Sequence, residues 1–393
     1  MLGALDMTHD SRAYASMLAA GQVVNHYQPI VNLQTGMVVG AEILARLSDG
    51  KSPVISPEAF LPTFETQALD ELLFTSLPMG LAVLERASRT HPDIYVSFNV
   101  SPRVMARSGF ASRFLRALSA HRTDPSRIVL EILEDDEFLS LPEARTCLGD
   151  LHGEGIRIAL DDVGSGYSSL NRLRELRVVD KIKLDQAFVR GMAAEPEGMH
   201  FVSAMMSLAR GLHEGLIVEG VETPEIMQAL SVIGVEDAQG YAIARPMPAC
   251  ALAEWLAGWV PKPVEREPTS LLGAYAAHLA IVEAFRALAN QPLKFHWDKT
   301  LHDPHACSIG RFFDANGLHE TDYGEAHKRF HAVMDQYGTN PVVWEKAASD
   351  LWRGLQRAIK KEAALKASGP APAARTSPCC DRVVRHMLIC ETV

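Results

Sequence analysis

Arg157-Ile-Ala-Leu-Asp-Asp162, followed by Lys181-Ile-Lys-Leu-Asp185, sets the pattern by which this chain folds. Each piece is a short, strand-like run of branched apolar residues that ends in carboxylates. Six further runs share the form: His26–Val31, Met37–Ile43, Ile94–Phe98, Ile128–Ile132, Leu216–Val218 and Ala238–Ile243. Between the later runs lie stretches of helical periodicity, for example Pro142–Glu154 and Met199–His213. Eight strands with mostly intervening helices predict an α/β fold, and about 250 residues suits a (β/α)8 TIM-like barrel. Only Asn32 to Gly36 separates the first two runs, which is too short for a crossover. The barrel is therefore expected to carry an irregular antiparallel first strand.

The whole chain has 393 residues, more than one compact unit needs. Its composition changes near residue 260, where Pro261, Pro263 and Pro268 lie among Lys262, Glu265, Arg266 and Glu267. We read residues 1–260 as the barrel, 261–269 as a Pro-rich hinge and 270–362 as a small all-α helical bundle. Residues 363–393, which include Ser368-Gly-Pro-Ala-Pro372, read as a tail without fixed structure. A 47% hydrophobic and 22% charged composition excludes wholesale disorder. The net charge of −10 excludes a general nucleic-acid coat, so no DNA or RNA polymer is expected as partner. The most apolar candidate for a membrane span, Tyr241–Val260, is broken by Arg245, Pro246, Pro248 and Glu254. Asp6 and Asp10 exclude a signal peptide at the N-terminus, and six scattered cysteines suit reduced thiols. These features predict a soluble, cytoplasmic protein. Cys147 and Cys250 are expected to pack as small apolar residues, and Cys379, Cys380 and Cys390 lie in the tail.

Nearly every strand-like run ends in a charged or amide residue: Glu42, Asn99, Glu131, Asp161 with Asp162, Lys183 with Asp185, Glu219 and Gln239. One acidic residue after a strand is ordinarily a helix cap. In a barrel, however, the C-terminal strand ends meet at one mouth, so these groups become neighbours. Crowded carboxylates repel and resist ionisation unless hard cations such as Mg2+ or Mn2+ join them. Adjacent Asp161 and Asp162 suit a pair of ions about 3.5–4 Å apart, the spacing used in phosphate-ester chemistry. The residues alone thus point to a metal-dependent barrel hydrolase.

Glu42-Ile-Leu-Ala-Arg46 resembles the Glu-Ala-Leu-x-Arg signature of EAL-domain cyclic di-GMP phosphodiesterases. The resemblance runs through Tyr27-Gln-Pro-Ile30, Phe98-Asn-Val-Ser101, Leu130-Glu-Ile-Leu-Glu134 and Asp161-Asp-Val-Gly-Ser-Gly-Tyr-Ser-Ser-Leu170. It continues through Ile182-Lys-Leu-Asp185, Glu219-Gly-Val-Glu-Thr223 and Gln239-Gly-Tyr241. It implies an enzyme that hydrolyses cyclic di-GMP to linear pGpG with two Mg2+ or Mn2+ ions, acting as a homodimer. By the same resemblance Glu42, Asn99, Glu131 and Asp161 hold one ion. Asp161, Asp162 and Glu219 hold the other, and a water between the ions attacks phosphorus. Lys183 steadies the developing charge, and Glu222 and Gln239 support the ligands or position substrate. Arg46 and Gln28 bind substrate, and Glu134 holds the loop that carries Gly164 and Gly166. The departures are Ile43, Leu133, Val163 and Ser165 at usual motif positions, and one residue inserted before Lys183. None removes a ligand, which favours catalysis over the alternative of a silent cyclic di-GMP receptor.

Beyond the hinge, seven of the fifteen histidines fall within residues 270–335. His327 and His331 stand four apart, so a helix puts both rings on one face. With His278 and Cys307 they make a three-His, one-Cys set suited to one tetrahedral zinc ion. Ala277-His-Leu279, Cys307-Ser-Ile-Gly-Arg-Phe-Phe313 and His327-Lys-Arg-Phe-His331 resemble the chemoreceptor zinc-binding (CZB) domain. That resemblance implies a structural or sensory zinc, with His305 as an alternative ligand near Cys307. A zinc or redox signal sensed there is expected to regulate the barrel through the hinge.

Overall fold

A computed structural model describes residues 3–133, 141–164, 176, 178–289 and 302–368, with side chains 3–10, 288 and 289 outside the description. Among the described residues nine strands form one sheet: β1 (Val23–Asn32), β2 (Val38–Leu47), β3 (Tyr95–Asn99), β4 (Ile128–Leu133) and β5 (Arg157–Val163) come first. β6 (Lys181–Leu184), β7 (Gly215–Val218), β8 (Asp237–Ala238) and β9 (Met247–Pro248) follow. Strands β2 to β8 run in order, β1 lies beside β8, and β1 also pairs with β2, which closes the barrel. Pairs from β2 to β8 are parallel, whereas β1 is antiparallel to β2, β8 and β9. The eight-stranded barrel with its irregular first strand is as the sequence predicts. At the β1–β2 turn, Asn32 Oδ1 accepts from the backbone N–H groups of Gln34 and Thr35 at 3.1 and 3.0 Å.

Described helices α1 (Gly3–Ala19), α2 (Thr66–Ala87), α3 (Phe110–Ala120) and α4 (Pro142–Gly153) flank the first half of the sheet. α5 (Gly198–Leu212), α6 (Pro224–Ile233) and α7 (Ala249–Gly258) flank the second half. α3 shows why they dock: Phe110, Phe114 and Leu118, four apart, form its buried stripe. α6 is fixed at both ends, with Thr223 Oγ1 accepting from Ile226 N and Gly234 closing it at φ 90°.

Alternation along the strands sorts the barrel interior into layers. Ile30, Tyr95, Val129, Ala159 and Ile217 form an apolar plug. Two residues further along, the same inward faces carry Ser97, Glu131, Asp161 and Glu219, so a period of two converts a greasy floor into a polar mouth. The eighth sequence run is a correction. Only Ala238 of Ala238–Ile243 lies in strand, paired from Asp237 onward, because Gly240 lies where a Cβ would meet the Val221 carbonyl oxygen at 2.2 Å. The N–H groups of Ile243 and Ala244 then return to Gly240 O at 3.0 Å, making a turn. Cys250, expected to pack inside, is exposed, whereas Cys147 is buried.

Helices α8 (Leu271–Ala289), α9 (Ser308–Asn316), α10 (Asp322–Ala332) and α11 (Pro341–Ser368) make the helical region. α11 continues past residue 362 to Ser368, into the stretch expected to be tail, and residues 369–393 lie outside the description. Every residue from Leu272 to Leu279 is buried, so α8 is covered on all sides. One apolar core runs from Met206, Ile226, Ala229 and Leu230 of the barrel helices into Leu272, Tyr275 and Leu279. The Pro-rich segment is strapped down: Val264 N donates to Leu33 O at 2.8 Å and Gln228 Nε2 to Glu267 O at 2.6 Å. Gly36, at φ 73°, has no room for a Cβ against the Lys262 backbone. Among the described residues no helix is long and apolar enough to cross a membrane.

His200 of α5 sits in this joint, its Nε2 2.8 Å from Tyr275 Oη and its ring edge-on to Trp352. Burial lowers its pKa from the ordinary 6.5, with Glu283 opposing. The unfolded chain then binds the proton more readily, so this ring's contribution to stability is present above 6.5 and is lost as pH falls through the lower folded value. His200→Gln is expected to cost about 1 kcal/mol at pH 7.5. In calorimetry the Tm gap between wild type and variant should narrow at pH 5.5; an unchanged gap would show that the ring's protonation does not matter to the joint.

Candidate active site

Strands β2 to β7 deliver their polar groups to one mouth, and Lys183 lies at its centre. The Lys183 Nζ is 2.7 Å from Glu219, 2.8 Å from Glu131, 3.0 Å from Asp161 and 3.6 Å from Glu42. Its side chain is only 1% exposed, so the charge is held wholly by these carboxylates. Glu42 is oriented by amides, accepting from Asn99 Nδ2 at 2.9 Å and Gln239 Nε2 at 2.6 Å. Gln239 Nε2 also donates to Gln28 Oε1 at 3.0 Å, and Gln28 Nε2 donates to Ala244 O at 3.1 Å. Gln28 thus supports the amide that supports Glu42.

Asp161 and Asp162 are successive residues, which in a regular strand would face opposite sides of the sheet. The β5–β6 register slips between Leu160 and Val163, and Asp162 takes a left-handed φ of 55°. This bulge turns both carboxylates to the mouth, where Asp161, Asp162 and Glu219 bring ligand atoms within 4.8 Å of one another. Glu42, Glu131 and Asp161 form a second such group, so Asp161 belongs to both.

One ammonium does not balance so many carboxylates. Burial, reinforced by Glu42, pushes Glu131 well above the usual carboxylate range, and burial also raises Asp161. Asp162 is pushed up to about 6 by burial and by Asp161. Glu219 is raised chiefly by burial, against the pull of Lys183. Glu42 alone is lowered: burial works to raise it, but Lys183 and the Gln239 and Asn99 amides prevail. Lys183 is raised well above its ordinary value by Asp161, Glu131, Glu219 and Glu42, against burial. Protons held on an all-oxygen donor set fit hard divalent cations, which would replace them.

A cleft of about 230 Å3 opens over this centre, lined by Gln28, Glu42, Arg46, Glu219, Glu222 and Gln239. Glu222 lines the wall but lies outside both carboxylate groups and pairs with Arg190 at 3.3 Å. Glu134, Gly166 and most of the loop after Gly164 lie outside the described residues. Sequence reasoning passed over Glu58 and Tyr241 as wall residues. Glu58 follows Ser56 and Pro57 at a helix start, a signal that says cap rather than cleft. Tyr241 is 49% exposed, with the Arg245 guanidinium 4.1 Å from its ring centre.

In the bundle, Cys307, His327 and His331 gather within 4.8 Å. Cys307 Sγ lies 3.2 Å from His327 Nε2, which is 3.1 Å from His331 Nε2. Burial raises the Cys307 thiol and lowers His327 to about 3. His278, expected as fourth ligand, stands outside this group, its Nε2 2.9 Å from Ala348 O. Its buried Nδ1 has no hydrogen-bond partner. His305 is not among the three either; it belongs to a separate group with Asp314 and His319.

The closed barrel, with candidate metal-binding carboxylates at its mouth beneath a polar cleft, defines the class of fold. The EAL-domain family profile matches residues 11–246, and the chain belongs to that family. It is 35% identical over 239 residues to cyclic di-GMP phosphodiesterase RocR of Pseudomonas aeruginosa, a match covering 61% of each chain. It is 32% identical to cyclic di-GMP phosphodiesterase PdeL of Escherichia coli, over 58% of this chain and 64% of that one. The chain thus spans less than two thirds of these relatives' lengths. Among solved structures, the PaMucR phosphodiesterase in complex with c-di-GMP is 30% identical, with a TM-score of 0.54 over 63% of this chain and 99% of that one. The EAL domain of Mycobacterium smegmatis DcpA is 29% identical, with a TM-score of 0.51 over 61% and 99%.

Because cations would relieve the carboxylate repulsion, Mg2+ is expected to raise the Tm of chelator-stripped protein. At 100 times Kd the gain is about 2.7 kcal/mol per site, or several degrees. Scanning fluorimetry of Asp161→Asn should show most of that shift lost, since Asp161 joins both groups; a full shift in the variant would remove Asp161 from the metal centre.

Proposed function

We propose that the barrel hydrolyses cyclic di-GMP to linear pGpG with two Mg2+ or Mn2+ ions. The observation that carries this reading is the convergence of Glu42, Glu131, Asp161, Asp162 and Glu219, with the Asn99 amide on Glu42, at one barrel mouth. The similarity to cyclic di-GMP phosphodiesterases RocR and PdeL and the c-di-GMP of the PaMucR complex support the substrate. Glu42, Asn99, Glu131 and Asp161 would hold one ion, and Asp161, Asp162 and Glu219 the other. Bound there, such ions lower the pKa of a water and neutralise phosphodiester charge.

The chain's own side chains do the remaining work. Arg46, in the cleft wall, offers parallel N–H groups that match a phosphate. Lys183, fixed by its carboxylate partners, is a preorganised positive charge against which charge on the phosphoryl oxygens can grow. Gln239 and Gln28 keep the Glu42 carboxylate aimed, and Glu222 lines the cleft that would take substrate. Tyr241 gives the rim an aromatic surface for a base.

The bundle would hold one zinc ion and regulate the barrel. Cys307, His327 and His331 supply one thiolate and two imidazoles. His278 suits the fourth place through Nδ1, because an Nε2–H given to the Ala348 carbonyl leaves Nδ1 with its lone pair. A zinc-held thiolate is also open to oxidants. The joint offers a direct route: α5 follows the strand of Lys183, and α6 follows the strand that leads to Glu219.

Purified protein with cyclic di-GMP and Mg2+ or Mn2+ should release pGpG on chromatography. Glu42→Ala should slow this by about 100-fold or more. Tight binding without turnover in the wild type would instead identify a receptor. Cys307→Ser should shed zinc and change the pGpG rate; an unchanged rate would end the regulatory reading while leaving the hydrolase intact.

A further inference from the structure

His305, Asp314 and His319 bring ligand atoms within 4.8 Å of one another on the bundle surface. His305 Nδ1 and His319 Nε2 each lie 2.8 Å from the same oxygen, Asp314 Oδ1. The two rings are 4.3 Å apart between centres, closer than two imidazoles need to be to share a carboxylate. A plain surface ion pair accounts for only half of this. The His305 contact is a hydrogen bond, but His319 Nε2, despite its distance, makes none. His319 is also largely buried, at 12% side-chain exposure, and its Nδ1 has no hydrogen-bond partner. Asp314 stands in the last turn of α9, where the helix dipole disfavours a carboxylate and calls for positive charge beside it.

We propose that His305, Asp314 and His319 form a second, exchangeable transition-metal site, separate from the Cys307 group, that takes a divalent ion of the zinc class. Two imidazoles and one carboxylate match such ions, and three protein ligands leave positions open to water. His305 and Asp314 are 54% and 47% exposed, so the ion would exchange with solvent, unlike one held by buried His327 and His331. The sites are near neighbours: Phe313 lies edge-on to both His319 and His327, with ring centres 5.8 and 5.3 Å away. This assignment does not depend on the barrel's activity.

The test uses the full-length protein, stripped with chelator and kept in excess Mg2+ so that the barrel carboxylates are saturated. Zn2+ binding is counted by equilibrium dialysis and elemental analysis, and Co2+ is followed by absorption, since only a thiolate ligand gives a sulfur-to-cobalt charge-transfer band. Wild type is expected to bind two equivalents. His305→Ala and Asp314→Asn, both at exposed positions, should each weaken one equivalent by about tenfold or more and keep the charge-transfer band. Cys307→Ser should lose the band and keep the other equivalent. A single equivalent in wild type that carries the charge-transfer band, or unchanged binding in His305→Ala and Asp314→Asn, would overturn the proposal; a single equivalent without the band that His305→Ala weakens would support this site and remove zinc from the Cys307 group instead. Loss of the band in those two variants would overturn it as well, by making the residues mere supports of the thiolate site.

Discussion

Lys183 reaches three carboxylates within 3.0 Å and a fourth at 3.6 Å, inside a barrel whose floor is hydrocarbon. That imbalance of charge governs the rest of the barrel. The carboxylates are buried and close, so they keep protons or accept cations. The strands must hold them there despite the repulsion, and the paired backbone of a closed sheet supplies the rigidity. The amide chain from Ala244 through Gln28 and Gln239 to Glu42 shows how far the support extends, because it spans the seam where first and last strands meet. The irregular β1 therefore has a role: its antiparallel direction brings Gln28 opposite Glu42.

The bundle solves a different problem by the same economy of burial. Its central helix α8 has no exposed face from Leu272 to Leu279, and it shares one apolar core with barrel helices α5 and α6. The Pro-rich segment is hydrogen-bonded along the barrel as a strap. The apolar core runs without a break from the bundle into α5 and α6 of the barrel.

Much of this was legible in the chain. Short apolar runs ending in acid gave the barrel and its mouth, because strand ends converge in such a fold wherever they stand in the sequence. The five-residue loop from Asn32 to Gly36 gave the hairpin. What escaped was set by contacts distant in sequence. The Ala238–Ile243 run looks like strand, yet Gly240 meets the Val221 backbone and turns. The bulge at Asp161–Asp162 leaves no mark in the pattern, since two adjacent acids read alike whether they face together or apart. Which ring nitrogen His278 turns towards Cys307, His327 and His331 also depends on helix rotation, which periodicity does not fix between helices. Tyr241 and Glu58 became cleft walls only once the barrel was closed.

The continuous core across the joint bears on how such chains are assembled from parts. A barrel cut free near residue 260 would lose the apolar core that it shares with α8 and open part of that core to water, where an independent module would carry a polar face. A helical region transplanted to another barrel would likewise arrive with α8 partly uncovered. Gly36 adds a steric signature to the same bond, since any side chain there collides with the strap at Lys262. The two halves are therefore not interchangeable cassettes: each is the missing surface of the other, and a change in one is constrained by the shape of its neighbour.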